Sequence, residues 1–258
     1  MKKYITIYSG IDKNGEKEPY EKIILKLGEV VSIVGHTGSG KTLLISDIEQ
    51  LSQKDSASKR LIMIDDEVPS YEDRFDPEKK QIAMITQNTK CISDLVVEEF
   101  LKIHAESRNI LDDKLIDNVI ELANKFTGES ISKDSKVTEL SGGQTRALLF
   151  ADAILIGASP IILVDEIENA GINKTEILKH VKRENKLVIF ATHDPSIVLQ
   201  TEKRILMKNG AISEIIEHTD EDKEVLELVL KADMTIKKVQ DKIRNGMSLD
   251  IFEIKDDE

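Results

Sequence analysis

Apolar runs, some alternating and some continuous and several ending at glycine turns, set out the strands of a sheet along this chain. Met1 to Tyr8 alternates through Ile5 and Ile7 and predicts a strand; the polar turn Asp12 to Lys17, which holds Asn14-Gly15, makes a hairpin-like start. Ile23 to Leu27 predicts another strand. After the Gly28 turn, Val30 to Val34 reads as a continuous buried run typical of a central sheet, and it stops at Gly35. Thr42 to Leu51 places Leu43, Leu44, Ile48 and Leu51 on one helical face, and Arg60 to Ile64 returns to strand.

The second half repeats this logic around a helical region. Ile82 to Thr86 predicts a strand, while Ile92 to about Ile156 reads as mainly helical, with helical periodicity in Val96 to Ile103 and Leu115 to Leu122. Ile161 to Val164 and Leu187 to Ala191 flank the helix-like Lys174 to Lys182, as a parallel crossover requires. Arg204 to Met207 and Ala211 to Ile216 form a last strand pair around Asn209-Gly210. Beyond His218, Val225 to Leu230 and Ile236 to Ile243 predict two short helices packed on their own domain. The expectation is an α/β domain over 1–217, with a mostly parallel sheet, an N-terminal antiparallel β subdomain and a helical subdomain at about 90–156. A helical appendage occupies 218–258.

Composition narrows the classes. The 258 residues are 40% hydrophobic and 33% charged, enough for one large core without a staple. Thirty-six Lys and Arg against 48 Asp and Glu leave a formal charge of -12, which disfavours broad attraction to nucleic acid, so no nucleic-acid partner is expected. Cys91 is the sole cysteine, which excludes an intramolecular disulfide and suits a reducing interior. Met1 to Ser9 lacks the apolar core of a secretion signal, and no apolar run reaches the roughly 18 to 20 residues of a membrane span. The expected location is cytoplasmic, at the membrane's cytoplasmic face where a membrane partner is involved.

Three segments carry chemistry. Gly35-His36-Thr37-Gly38-Ser39-Gly40-Lys41-Thr42 fits the phosphate-binding loop between a buried strand and a helix. Its backbone N–H groups converge on phosphates, Lys41 adds a charge for the outer phosphates and Thr42 offers a hydroxyl to Mg2+. Ile161 to Val164 leads into Asp165-Glu166: Asp165 is the indirect Mg2+ partner, and Glu166 is the candidate to polarise an attacking water. Leu140-Ser141-Gly142-Gly143-Gln144 precedes the apolar run Ala147 to Ile156, which makes a second anion site at a helix N-terminus. One chain has no obvious use for two such sites unless the second grips nucleotide held by another copy.

Taken in this order, the segments resemble the ATP-binding-cassette family over about Lys3 to Ile216. The resemblance implies a P-loop NTPase core, ATP and Mg2+ as cofactors, and ATP hydrolysis between two cassettes closed head to tail. In the family's terms Gln87 matches the glutamine that senses Mg2+ and the partner, Leu140 to Gln144 the signature, and His193 the switch histidine on the γ-phosphate. Tyr8 is the match for the adenine-stacking aromatic, ahead of Tyr20, which lies too near Gly28. Ser141 and Gly143 of one copy would complete the site of Lys41 in the other.

Four positions depart from the family. Leu43 stands where another hydroxyl is usual, Ile167 where transporter cassettes have proline, Asn169-Ala170-Gly171-Ile172 where a Ser-Ala-Leu-Asp type segment is expected, and Asp152 where arginine is usual. Asp152 is read as altering only a surface pairing. The implied partner is a membrane permease; the alternative, to which Ile167 leans, is a soluble protein client of a non-transport cassette, as in iron-sulfur or other metallocofactor maturation. His36, His104, His180 and His218 have no clustered ligand partners and read as structural or solvated.

Overall fold

The computed structural model describes residues 4–76, 79–86, 89, 93–157, 159–165 and 172–248. The chain starts as the predicted hairpin: β1 (Tyr4–Tyr8) pairs antiparallel with β2 (Lys22–Lys26). Next come β3 (Val30–Val34), α1 (Lys41–Glu49) and β4 (Leu61–Ile64), which returns to the other edge of β1. The short α2 (Tyr71–Phe75) precedes β5 (Ile82–Thr86). The lobe that follows holds α3 (Val97–Glu106), α4 (Asp113–Phe126) and α5 (Gly142–Leu155). After it run β6 (Ile161–Asp165), α6 (Lys174–Arg183), β7 (Leu187–Ala191), α7 (Pro195–Val198), β8 (Lys203–Lys208), β9 (Ala211–Glu217) and α8 (Asp220–Arg244).

Two sheets result, one of three strands in the order β2-β1-β4 and one of six in the order β5-β6-β7-β3-β8-β9. In the larger sheet only β9 runs antiparallel, which agrees with the mostly parallel fold expected from the sequence. Period-two geometry explains why its central strands β6 and β7 carry apolar residues toward both faces. Ile162, Val164, Val188 and Phe190 join a core shared with α4 and α5. Their neighbours Ile161, Leu163, Leu187 and Ile189 join a second core with α1 and the small sheet. On α1 the buried face is Leu44, Ile45 and Ile48, with Asp47 beside them; Leu43 is half-exposed, because side chains at i, i+1 and i+4 face the sheet in this helix.

The C-terminal expectation needs correction. Residues beyond His218 form one 25-residue helix, not two, and it does not pack along its domain: Asp222 is its one buried residue among those described. Nothing between Leu230 and Ile236 breaks a helix, since Lys231-Ala232-Asp233-Met234-Thr235 holds neither glycine nor proline. The helix starts in a capping box, in which the Thr219 hydroxyl accepts from Asp222 N and the Asp222 carboxylate accepts from Thr219 N at 2.8 Å. It ends at Asn245, followed by Gly246 at φ 66.

Asp222 also receives both short bonds from Arg204 Nη2, at 2.7 and 2.6 Å, which fixes the root of α8 to β8. The Thr219 backbone N–H and the Arg204 guanidinium hold its carboxyl below the ordinary aspartate value, outweighing the upward push of burial. A depressed carboxyl stabilises the fold above its unfolded value, about 3.9, and that contribution disappears as pH falls through the lower folded value. Protection of the α8 amides against hydrogen exchange, taken relative to the intrinsic rate at each pH, is therefore expected to be constant down to about pH 4 and to fall below it. In Asp222→Asn, exchange there should already be fast at pH 7.

Candidate functional site

The site grows from the C-terminal edge of the larger sheet. β3 delivers the chain into Gly35, and α1 begins at Lys41 behind an N-cap glycine, Gly40, at φ 106. That backbone suits glycine, and a Cβ there would also lie 2.8 Å from the Gly210 Cα. The Asn209-Gly210 turn thus forms the back wall of the loop, and Gly210 N donates to Ser39 O at 2.7 Å. In front, Lys13 from the N-terminal hairpin donates its backbone N–H to Asn209 O at 3.0 Å and its Nζ to Gly38 O at 2.8 Å. Lys41 Nζ donates to Gly35 O at 2.8 Å, while Thr37, Gly38 and Thr42 face solvent.

This helix start is built to receive an anion. α1 has no side-chain cap and no acidic residue in its first turn. By contrast α2 and α4 to α8 are each capped by a side-chain oxygen. The first-turn N–H groups of α1 are therefore left for an external acceptor. Ser39 Oγ adds a buried donor with no hydrogen-bond partner among the described residues. Backbone amides, an ammonium and hydroxyls match a polyphosphate, and the hydroxyl of Thr42 with the carboxylate of Asp165 matches the oxygen preference of Mg2+. Among the described residues no cluster of three or more His, Cys, Asp or Glu side chains forms a separate metal site.

Parallel pairing brings the other candidates to the same edge. Thr86 lies in register with Asp165, Asp165 with Ala191, and Ile33 with Ala191. At about 4.8 Å between strands, the end of β6 stands roughly 10 Å from the end of β3, with β7 between them. Asp165 is half-buried at that edge, and His193, two residues past β7, is exposed there. Gln87 and Glu166 follow β5 and β6 in sequence but lie outside the described residues, as do Ile167 and Asn169 to Gly171.

The structure separates the two tyrosines. Tyr20 donates its hydroxyl to Glu18 at 2.9 Å, and burial with the Glu18 charge pushes its pKa up, so this ring belongs to the core. Tyr8 ends β1, half-exposed, opposite Lys22 and Leu61. At the start of α5 the Ser141 hydroxyl accepts from Gln144 N at 3.3 Å, and Gln144 Oε1 accepts from Ser141 N at 2.9 Å, a reciprocal capping box. Ser141 and Gly142 are exposed, Gly143 and Gln144 partly so. Their further partners are Glu129 and Ser130, in the loop before α5. The phosphate loop bonds instead to Lys13 and Gly210, so among the described residues the two segments share no hydrogen-bond partner.

Two features escaped the sequence. Asp152 is not part of a surface pairing: it is 6% exposed and bonds His104 Nδ1 at 2.7 Å, tying α5 to α3, because its position on α5 faces the lobe interior. The Lys13 clamp on Gly38 has no local signal, since it joins positions 25 residues apart. An exposed bond of this kind contributes about 0.5 to 1.5 kcal/mol. Lys13→Ala should therefore weaken ATP binding by about 2- to 10-fold in calorimetric titration and lower the unfolding free energy by no more than that amount.

Comparison with known proteins gives a consistent result. The sequence model of the family described as "ABC transporter" matches residues 22–169. A protein of Methanocaldococcus jannaschii, described as an uncharacterized ABC transporter ATP-binding protein, is 49% identical over 96% of this chain and 95% of its own length. The macrolide export ATP-binding/permease protein MacB of Campylobacter jejuni is 30% identical over 90% of the chain, which spans 36% of that longer protein. Among solved structures, the ADP conformation of an ATP-binding cassette of an ABC transporter superposes with TM-score 0.62 at 22% identity, covering 88% of this chain and 95% of that one. The cbiO1 component of a Clostridium perfringens ABC transporter complex gives TM-score 0.62 at 20% identity, covering 95% of this chain and all of that one. At such identities the structures speak for the fold alone.

Proposed function

From the premise that this chain belongs to the ATP-binding-cassette family and is an ATPase, we propose that it drives the permease of a membrane transporter by hydrolysing ATP between two copies closed head to tail. The observation that carries this reading is the contrast between two helix starts. The N-terminus of α1 is uncapped, with a buried Ser39 hydroxyl left over. The N-terminus of α5 is fully capped, exposed, and bonded to a different part of the chain. The first binds phosphate by itself; the second has the form of a surface offered to another molecule's nucleotide.

In this reading the triphosphate lies on Gly35 to Gly40 and the α1 amides, with Lys41 on the outer phosphates and Tyr8 against adenine. Thr42 and, indirectly, Asp165 and Gln87 hold Mg2+, which when bound neutralises charge on the phosphates. Glu166 orients and polarises the attacking water, and His193 contacts the γ-phosphate. Ser141, Gly142, Gly143 and Gln144 of the second copy close the site. Hydrolysis removes the γ-phosphate those residues grip, so the copies separate and the helical lobes move with them.

In this reading the permease is the membrane partner on which the cassette acts. The chain matches only part of a relative whose name joins an ATP-binding with a permease function. No described helix is long and apolar enough to cross a membrane, and the proposed place of work is the membrane's cytoplasmic face. The test is capture of tagged Glu166→Gln with Mg-ATP from gently solubilised cells of its source. A multi-span membrane protein in the bound fraction is the expected result. A metalloenzyme subunit or other soluble client would move the chain to the non-transport branch.

A further inference from the structure

α8 carries an apolar stripe that its own domain leaves uncovered. Val225, Val229, Ala232, Ile236, Val239 and Ile243 follow an unbroken four-three spacing, the heptad pattern of a helix that packs along another helix. Val225 is 47% exposed, Ile236 55% and Ile243 58%. The domain meets a different face: Lys223 and Leu226 border a cleft with Leu199, Thr201 and Glu202, and Asp222 bonds Arg204. At about 100° per residue Leu226 and Lys223 lie roughly 100° and 160° from the centre of the stripe and Asp222 about 60° from it, so the root of α8 is held beside and behind the stripe and its length from Val225 to Ile243 stays uncovered by the domain.

We propose that this stripe pairs two copies of the chain, α8 running antiparallel to the partner's α8, as a contact independent of nucleotide. Two properties of the helix select a second copy. The first is charge: with Asp222 held by Arg204, Asp220, Glu221, Glu224 and Glu227 against Lys223 make its first half acidic, while Lys231, Lys237, Lys238, Lys242 and Arg244 against Asp233 and Asp241 make its second half basic. Antiparallel pairing sets each acidic half against the basic half of the other helix; parallel pairing would set like against like. The second is the order of the stripe, which reads the same from both ends. Val225 then faces the Ile243 position, Val229 the Val239 position, and small Ala232 the larger Ile236, so each layer matches a smaller or equal group with a branched one.

Three heptads make a weak dimer, weakened further where Asp233 approaches its own counterpart near the two-fold axis. Joined to the nucleotide-dependent face proposed above, on which this consequence rests, the contact holds the second cassette at high effective concentration after hydrolysis has opened the clamp.

The test uses the full chain in EDTA without nucleotide, at tens of micromolar, with mass from sedimentation equilibrium. A dimer that dissociates on dilution is expected, and it should persist in Ser141→Arg, which alters only the nucleotide face. Val229→Glu with Ile236→Glu changes one partly exposed and one exposed residue of α8, neither of them part of a core cluster, so folding and ATP binding should be kept while the mass falls to monomer. Spin labels at Val225→Cys in a Cys91→Ser background should sit about 27 Å or more apart, the axial length of 18 residues. A monomeric parent, a double variant that remains dimeric, or labels within contact of each other would each overturn the proposal.

Discussion

Replacing Glu166 by glutamine is expected to lower ATP turnover by about 10²- to 10⁴-fold while leaving ATP binding intact. The amide keeps the size and one acceptor of the carboxylate but cannot take a proton, so water is still held and no longer activated. Binding survives because the groups assigned to the triphosphate are elsewhere, in the loop closed by Gly210 and Lys13 and in the uncapped start of α1. Steady-state phosphate release and equilibrium ATP titration on the same preparation separate the two effects. Turnover within a few-fold of the parent would remove Glu166 from its role and leave Asp165 and His193, at the same sheet edge, as the groups to examine.

Arg60→Leu is expected to destabilise the fold by about 3 to 5 kcal/mol, a large share of the roughly 5 to 15 kcal/mol that a domain has. Arg60 is fully buried, Glu18 is 4% exposed and Asp47 1%. The guanidinium holds both carboxylates, through Nη2 to Glu18 at 2.6 Å and Nη1 to Asp47 at 2.7 Å, and it also bonds Gly210 O at 2.8 Å. Leucine would leave two carboxylates in the core without their cation, the costly way to break a buried network. The effect should also reach the nucleotide: Asp47 lies on α1, and Gly210 is the wall behind Ser39 and Gly40. Urea denaturation should show a lower midpoint at unchanged slope, with ATP binding weakened as the wall loosens. Arg60→Lys, which keeps the charge and loses the fork, should fall between the two.

How far the sequence could be read follows from the range of the interactions. A strand such as Leu187–Ala191 is covered on both faces, so its burial is written as an unbroken apolar run. The phosphate loop is legible because its chemistry is local: glycines, Lys41 and Thr42 act within one turn. Glu18, Asp47 and Arg60 look like three ordinary charged residues until the fold joins the hairpin, α1 and β4 around them. Lys13 and Gly210 are equally silent, since one clamps and the other walls a loop far from both in sequence. The continuity of α8 was hidden between Lys231 and Thr235, where the stripe is carried by the small Ala232 alone and charged residues flank it, which weakens the apolar signal without interrupting the helix. Asp152 shows the converse, a charge on an apolar helix that looks like a surface group and is satisfied inside by His104.

The head-to-tail clamp is tested most directly by the solution mass of Glu166→Gln carrying Val229→Glu and Ile236→Glu, which remove the α8 contact, measured with and without Mg-ATP. The expected result is a monomer without nucleotide, a dimer holding two ATP molecules with it, and a return to monomer when Ser141→Arg is added, although each chain still binds ATP. A mass that stays monomeric at saturating Mg-ATP, or a dimer indifferent to Ser141→Arg, would contradict hydrolysis between two copies.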